Sequence, residues 1–379
     1  MNFELTQEQK MIRDMTREFA ADELAPDSIK RDVEKIWPRE QVSKMADLGL
    51  MGMMVQDKWG GNNMDTISYS IAMEEIAKVD ASAAVIMSVN NSLVCYIFQK
   101  YANSQQKEKY LIPLAKGEKL GCFSLSEPQS GSDASNMSVY AKKDGDDFII
   151  SGTKNWVTNG INADVVMLFC LTEKGAGHKG VSCFIVDKDS KGLSAGKAEE
   201  KLGIRSSDTC ELYFDQVRVS KDNLVGELGD GFKIALSTLD GGRIGIASQA
   251  LGIAQASLEH SISYSKDRKQ FGKPIANNQA IQFKLADMAM EIEAARMLTR
   301  KAAWKKDNKI NFSVSASMAK VYSSEVAMRA STQCVQIHGG YGYIKETGVD
   351  RLMRDAKITQ IYEGTSEIQR VVIARDLLR

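Results

Sequence analysis

The side chains of this chain that could do chemistry are acids, bases and hydroxyls rather than thiols or imidazoles. Cys95, Cys122, Cys170, Cys183, Cys210 and Cys334 form no CxxC pair, and His178, His260 and His338 are far apart in the sequence. That spacing supports neither a zinc site, a dithiol redox motif nor a histidine-built metal centre. Scattered thiols point instead to a reducing compartment. Gly226-Glu227-Leu228-Gly229-Asp230-Gly231 lacks the strand–GxGxxG–helix context of a dinucleotide-phosphate loop and reads as a domain junction. Asp240 and Arg243 stand three apart on an expected helix, where the plain reading is an ion pair worth roughly a few tenths of a kcal/mol. Arg268, within Lys266-Asp267-Arg268-Lys269, reads on its own as a solvated helix end. Glu363 precedes Ser366-x-x-Gln369, a capping-box pattern, so its carboxylate belongs to the loop before the last helix. Such a carboxylate is a general base when desolvated and an ordinary surface acid when not.

The elements that must position these groups change character twice. The first 120 or so residues read as helical. Thr6-Gln7-Glu8-Gln9 is a capping box, and Met11, Ile12, Met15 and Phe19 follow at helical spacing. Trp59-Gly60-Gly61-Asn62-Asn63 breaks the pattern, and residues 66–115 resume it. From Leu120 to Val219 strands take over, with a hairpin turn signalled by Asp144-Gly145 and strands over Val165–Leu171, Val181–Val186 and Glu211–Val219. About six strands in that stretch make a compact β-domain. After Gly231 long helices return over 232–267, 279–306 and 313–336, then a short one over 347–358 and a last one from Ser366. Phe283, Leu285, Met288, Ile292 and Ala295 form the apolar face of the second. Helices, then strands, then helices argue for separate layers rather than a parallel α/β sheet.

Composition narrows the function classes. The 379 residues carry 49 Lys plus Arg and 49 Asp plus Glu, a balance that disfavours a nucleic-acid binder held by a broad basic footprint. A local basic cluster would still serve an anionic cofactor. Only 5 prolines leave long helices intact, and 18 methionines read as core filling. The N-terminus, Met1-Asn2-Phe3-Glu4-Leu5-Thr6, has neither the basic region nor the apolar run of a targeting segment. The longest obvious apolar run, Val165–Leu171, is far too short for a membrane span.

Six motifs in register carry a family resemblance. They are Leu125-Ser126-Glu127-Pro128 with Gly131-Ser132-Asp133, Trp156-Val157-Thr158-Asn159-Gly160, Asp240-Gly241-Gly242-Arg243, Arg268-Lys269-Gln270-Phe271-Gly272, Gln336-Ile337-His338-Gly339-Gly340, and Ile361-Tyr362-Glu363-Gly364-Thr365-Ser366-Glu367. Over essentially its whole length the chain resembles the acyl-CoA dehydrogenases, nearest the short-chain (butyryl-CoA) members. The resemblance implies an α+β multidomain fold: an N-terminal helical domain (1–119), a middle β-barrel or sandwich-like domain (120–228) and a C-terminal four-helix-bundle domain (229–379). It implies one FAD per subunit, an acyl-CoA substrate, an electron-transferring flavoprotein as electron acceptor, a homotetramer, no nucleic acid and no membrane span. The expected location is the cytoplasm or, for a mature form, an organelle matrix.

The resemblance also assigns roles. Glu363 is the base for the α-proton, with flavin N5 accepting the β-hydride. Its backbone N–H, with a flavin ribityl hydroxyl, polarises the thioester carbonyl. Isovaleryl-type relatives carry their base at the position of Gly242, which here has no side chain. Phe123, Leu125, Ser126, Ser132, Trp156, Val157 and Thr158 line the flavin, with Ser126 where many relatives have Thr. Arg268, Phe271, Gln279, Gln336, Gly339 and Gly340 take the FAD diphosphate and adenosine of a neighbouring subunit, and Thr365 and Glu367 complete the cofactor set. Ser132, Asp240, Arg243, Tyr362 and Gly364 contact substrate. Glutaryl-type relatives have an Arg soon after the Asp80 region, and Asp80-Ala81-Ser82-Ala83-Ala84 has none. An acyl-CoA oxidase, a branched- or medium-chain dehydrogenase and a non-catalytic assembly partner of the same fold are the competing readings.

Overall fold

A computed structural model describes residues 4–379. Helix Gln7–Phe19 opens with the expected reciprocal cap: Gln9 N–H donates to Thr6 Oγ1 (3.2 Å) and Thr6 N–H donates to Gln9 Oε1 (3.1 Å). Ile12 and Phe19 are buried, but Met11 faces solvent at 64% exposure, outside the expected apolar stripe. Helices Thr66–Val79 and Ala81–Ser88 follow, the second running through a π-helical turn, Val89–Cys95, into Tyr96–Tyr101. The stretch Ala81–Tyr101 is a longer apolar run than Val165–Leu171 and passes the length and composition test for a membrane span; yet 94% of its apolar window is buried inside the protein. A helix hydrophobic all round is what a core position demands.

The middle of the chain forms one eight-stranded sheet. Its strands are β1 (Gly121–Ser124), β2 (Tyr140–Asp144), β3 (Asp147–Thr158), β4 (Val165–Leu171), β5 (Val181–Asp187), β6 (Leu193–Ala195), β7 (Thr209–Ser220) and β8 (Leu224–Val225). The order is β6-β7-β3-β2-β4-β5-β8, with β1 parallel to β4. Both β1 and β2 pair with β4, β1 along Val165–Leu168 and β2 at Leu171, so the chain between them leaves from a gap on that edge. Asp144 pairs with Asp147, which makes Gly145-Asp146 the hairpin turn, one residue later than the sequence signal.

β4 reads as an unbroken apolar run because both its faces are covered. Val166, Leu168 and Cys170 pack within the β-domain, whereas Val165, Met167 and Phe169 join a cluster containing Leu93 and Tyr110 from the N-terminal helices and Ile234 from the C-terminal ones. That second cluster docks all three parts of the chain on one sheet face.

The C-terminal part has three long helices, Gly231–Asp267, Gln279–Asp307 and Ser313–His338, followed by Val349–Ile358 and Ser366–Leu377. On the second, Met288, Ile292 and Ala295 are buried as expected, while Phe283 is 59% exposed. Phe283 lies off the stripe defined by 288, 292 and 295. The terminal helix is capped by Thr365, whose hydroxyl accepts from Ile368 N–H. The cap is therefore one residue earlier than the Ser366-x-x-Gln369 pattern indicates, which frees Gln369 for another task.

Candidate active site

Glu363 lies in the loop between Val349–Ile358 and the terminal helix, at φ +54 with Gly364 following at φ +87. Two consecutive left-handed residues make a sharp elbow, a strained geometry for Glu at the first position and natural for Gly at the second. Gln369 Nε2 donates to the carbonyls of both Glu363 (3.1 Å) and Gly364 (2.8 Å), and Lys320 Nζ donates to Gly364 O (2.8 Å). The Glu363 N–H has no partner among the described residues.

The elbow drives the Glu363 carboxyl against the long helix Gly231–Asp267 at Gly242. A Cβ there would overlap Oε2, and would lie 2.6 Å from the carboxyl carbon and 2.8 Å from Leu93 Cδ2. A side chain at this position and the Glu363 carboxyl compete for one space, so either could present an acid to the same point. Oε2 is shut from solvent and has no hydrogen-bond partner among the described residues. Burial pushes the Glu363 carboxyl up to about 7, against the opposing pull of Arg243 and Lys320. A carboxyl poised near neutrality beside an unpaired N–H is a proton acceptor next to an oxyanion donor.

Arg243 is buried; its Nη1 donates to Asp240 Oδ1 (2.6 Å) and to Ser317 Oγ (3.2 Å), while Nε has no partner. Ser313 Oγ also donates to Asp240 Oδ1 (2.9 Å). The i, i+3 pair thus exists, but it is half-buried and tied to the Ser313–His338 helix, well beyond a solvated pair. Tyr362 packs on the shared apolar cluster, and its hydroxyl donates to Gln249 Oε1.

A second group of residues gathers on the β-domain. The register of β3 against β7 slips between Lys154 and Val157, and this bulge puts Trp156 at φ +60 with 62% of its surface exposed. Bulges re-aim side chains in this way. Asn155 N–H donates to Ser126 O (2.8 Å), bringing Leu125-Ser126-Glu127 across β3. Beneath them Lys154 and Glu127 form an ion pair with both side chains fully buried: Nζ donates to Glu127 Oε1 (2.8 Å) and to Leu125 O (2.7 Å). The remaining carboxylate capacity of Glu127 is taken by Ser138 Oγ (2.8 Å), Val139 N–H (3.1 Å) and Gln129 Nε2 (2.7 Å).

The residues present fit a flavin. An indole lies open to solvent on a strained bulge, and the half-buried Ser126 and Thr158 hydroxyls make no hydrogen bond within the described protein. Phe123 packs against Phe169, with ring centroids 4.9 Å apart and the planes tilted by 50°, and belongs with Leu93, Leu125 and Tyr362 to one apolar cluster, which links this wall to the Glu363 loop. The side chains of Leu125 and Val157 are buried in the core, so these two can offer a ligand only their main chain.

Three family models cover the chain: the acyl-CoA dehydrogenase N-terminal domain over residues 6–118, the middle domain over 122–217 and the C-terminal domain over 229–378. The chain belongs to the acyl-CoA dehydrogenase family. It is 50% identical over 376 residues to the mitochondrial short-chain specific acyl-CoA dehydrogenase of Rattus norvegicus, covering 99% of this chain and 91% of that one. It matches the structure of butyryl-CoA dehydrogenase from Megasphaera elsdenii at TM-score 0.99 and 47% identity over 100% of both chains. A chain from work on the electron transferring flavoprotein of Acidaminococcus fermentans and flavin-based electron bifurcation matches at TM-score 0.99 and 46% identity, again over 100% of both.

The remaining residues that the acyl-CoA dehydrogenase motifs single out lie elsewhere. Arg268, Gly339 and Gly340 line a groove of about 460 Å³ with Tyr264, His338 and Tyr341, where Tyr264 and His338 stack at 4.2 Å. Phe271, Gln279 and Gln336 are exposed outside its lining. Gly242 lies on the long helix and Arg268 caps its C-terminal end, 26 residues and about 40 Å further on. No single-chain site among the described residues unites them. Ser132 is exposed on the loop after Glu127; Thr365 is spent as a helix cap, and Glu367 faces solvent. Sequence reasoning missed Lys320, Gln369, Gln249, Lys154 and Leu93. The small-residue run at Gly241, Gly242 and Gly245 was the available signal that something packs closely there.

Proposed function

We propose that this chain oxidises a short-chain acyl-CoA to the trans-2-enoyl-CoA, with Glu363 removing the α-proton. The Glu363 carboxyl carries the reading: it is desolvated, unpartnered at Oε2 and raised to about 7 by burial. When bound, FAD supplies the hydride acceptor for the β-carbon. The protein's own part is to present Glu363 on a rigid elbow, to offer its N–H to the thioester oxygen, and to exclude water with Leu93, Leu125 and Tyr362. Trp156, Ser126 and Thr158 would hold the ring, and Asp240 and Arg243 the pantetheine arm.

Close packing beyond the base supports a short acyl group. One helical turn past Gly242, a Cβ on Gly245 would lie 2.6 Å from Ser88 Oγ and 2.7 Å from Tyr69 OH. Tyr69 OH donates to Ser88 Oγ at 3.0 Å. The names of the relatives point the same way.

A homotetramer in which each subunit completes a neighbour's FAD site accounts for the distance between Gly242 and Arg268. Phe271 supports this reading: Phe271-Gly272 turns the hairpin at φ +52 and +79 and leaves the phenyl ring 99% exposed. An electron-transferring flavoprotein is the proposed electron acceptor, and the cytoplasm, where six free buried thiols stay reduced, the proposed location.

The test is anaerobic titration of the yellow holoenzyme with butyryl-, hexanoyl- and octanoyl-CoA. Bleaching of the visible flavin band, strongest with butyryl-CoA, is expected. No bleaching with any thioester overturns the proposal, and oxygen consumption during turnover would favour the oxidase.

A further inference from the structure

Lys320 is an unusual residue for its place. It lies inside the Ser313–His338 helix with no exposed surface, and its one hydrogen bond is to a backbone carbonyl, Gly364 O at 2.8 Å. Among the described residues no carboxylate pairs with it directly. An ammonium held this way is costly, because two of its three N–H groups lack a protein acceptor and the charge has left water. Removing such a charge in favour of an apolar side chain commonly leaves a fold intact or more stable.

Its position gives the reason. Gly364 is the second residue of the left-handed elbow, next to Glu363, and its carbonyl is held from two sides, by Lys320 Nζ and by Gln369 Nε2. Gln369 could hold the elbow alone, since it reaches both carbonyls. Lys320 adds a positive charge under the loop that carries the base. We infer that Lys320 is a positioning residue for the proton abstraction, fixing the Glu363 elbow through Gly364 O and stabilising the ionised form of the carboxyl. This rests on the proposed role of Glu363.

The charges around the pair are few. The long helix contributes Arg243, itself paired with Asp240; the Thr66–Val79 helix contributes Tyr69; the loop contributes Tyr362; and the terminal helix contributes the exposed Glu367, which weakly favours the charged form of Lys320. The π-helical turn offers only the apolar Leu93 to the carboxyl. Lys320 and Arg243 are therefore the two cations that favour the carboxylate. Burial pulls the Lys320 ammonium down to about 7, and Glu363 works against that fall. Each group thus favours the charged form of the other, against the burial that disfavours both.

The experiment compares Lys320→Met with Gln369→Met as FAD-loaded proteins. Glu363 is titrated directly, as the infrared carboxyl band that is absent from a Glu363→Gln reference, and kcat and KM for butyryl-CoA are followed with pH. In Lys320→Met the Glu363 band and the acid limb of kcat should both move up by about one pH unit, with KM nearly unchanged. At pH 7, where the ionised fraction of the carboxyl would drop from about a half to about a tenth, kcat should fall about fivefold. Gln369→Met, which loosens the same carbonyls without removing charge, should lower kcat and leave the acid limb in place. If the band titrates at the same pH in Lys320→Met and the wild type, the inference is overturned, whether or not the enzyme turns over. If wild-type flavin is never reduced while the band does move, the dehydrogenase reading falls and the electrostatic role of Lys320 stands. Should Lys320→Met fail to fold, Lys320→Gln is read in the same way; failure of both would make Lys320 a folding residue and overturn the inference.

Discussion

Gly242→Ala is the sharpest test of the site geometry, because it adds one methyl group at a point the structure gives to the Glu363 carboxyl. The new Cβ would stand 2.6 Å from the carboxyl carbon, whereas an ordinary carbon–carbon contact is about 3.5–4.0 Å. The carboxyl must therefore retreat by about 1 Å. Leu93 Cδ2, at 2.8 Å, blocks part of the space into which it could swing. Misplacement of a reacting group by about 1 Å costs about 10²-fold in rate, so kcat should fall about a hundredfold with KM little changed. The fold should suffer far less. Overpacking costs about 1–3 kcal/mol, and replacing a mid-helix glycine by alanine returns about 1 kcal/mol. The assay is single-turnover bleaching of the flavin by butyryl-CoA under anaerobic conditions, with the melting temperature and flavin spectrum of the variant as controls. A Gly242→Ala protein that bleaches within about threefold of the wild-type rate would show that the reacting carboxyl is not where the structure puts it.

Three further outcomes are expected. Glu363→Gln should retain FAD and bind butyryl-CoA but bleach about 10²–10⁴-fold more slowly; in the wild type, where only the ionised base accepts a proton, kcat should fall as the pH drops below about 7. Lys154→Met should strand the buried Glu127 carboxylate, costing about 3–5 kcal/mol, with a melting temperature lower by about 5 °C and weaker FAD retention, all measurable by thermal melts and flavin release. Asp355 accepts the Ile204 N–H (2.5 Å), and burial, opposed by Arg351, raises it to about 7, above its ordinary value, so its contribution to stability is fullest at low pH and declines as pH rises towards 7. Asp355→Asn should therefore compare better with the wild type at pH 8 than at pH 5, and an equal difference in melting temperature at both pH values would contradict this.

How much of this was legible in the sequence depended on whether the signal was periodic or conformational. The long helices and β4 were read nearly to the residue, because apolar periodicity and unbroken apolar runs report burial directly. Phe283 and Met11 were misplaced because neighbouring positions on a helix differ by about 100°, enough to turn a residue out of the stripe. The bulge at Trp156, the left-handed elbow at Glu363 and the π-helical turn that carries Leu93 were invisible: each is a departure from regular backbone, imposed by tertiary packing on residues with no local preference for it. Glu363 was found through its motif, and its loop location through a capping pattern that proved one residue out of register. Gln369, read there as part of a cap, instead holds the elbow.

The two loops that meet at the site are held by the same device. Lys154 reaches from β3 to the carbonyl of Leu125, and Lys320 from a helix to the carbonyl of Gly364. Each ammonium is buried, and each ends on main chain next to a residue assigned to chemistry or cofactor contact: Ser126 in one case, Glu363 in the other. A hydrophobic side chain at either place would cost less to bury, yet it could not fix a carbonyl in one direction. A charge-assisted bond to a loop carbonyl restricts the backbone rather than a rotamer. It therefore suits loops that carry a reacting group without regular hydrogen bonding of their own. The difference between the two is as informative as the likeness. Lys154 is neutralised by Glu127, so its field is spent locally and its role is to hold the loop. Lys320 has no such partner among the described residues, so its field acts on the buried Glu363 carboxyl. The same bond geometry then serves position alone in the β-domain, and position together with ionisation at the base.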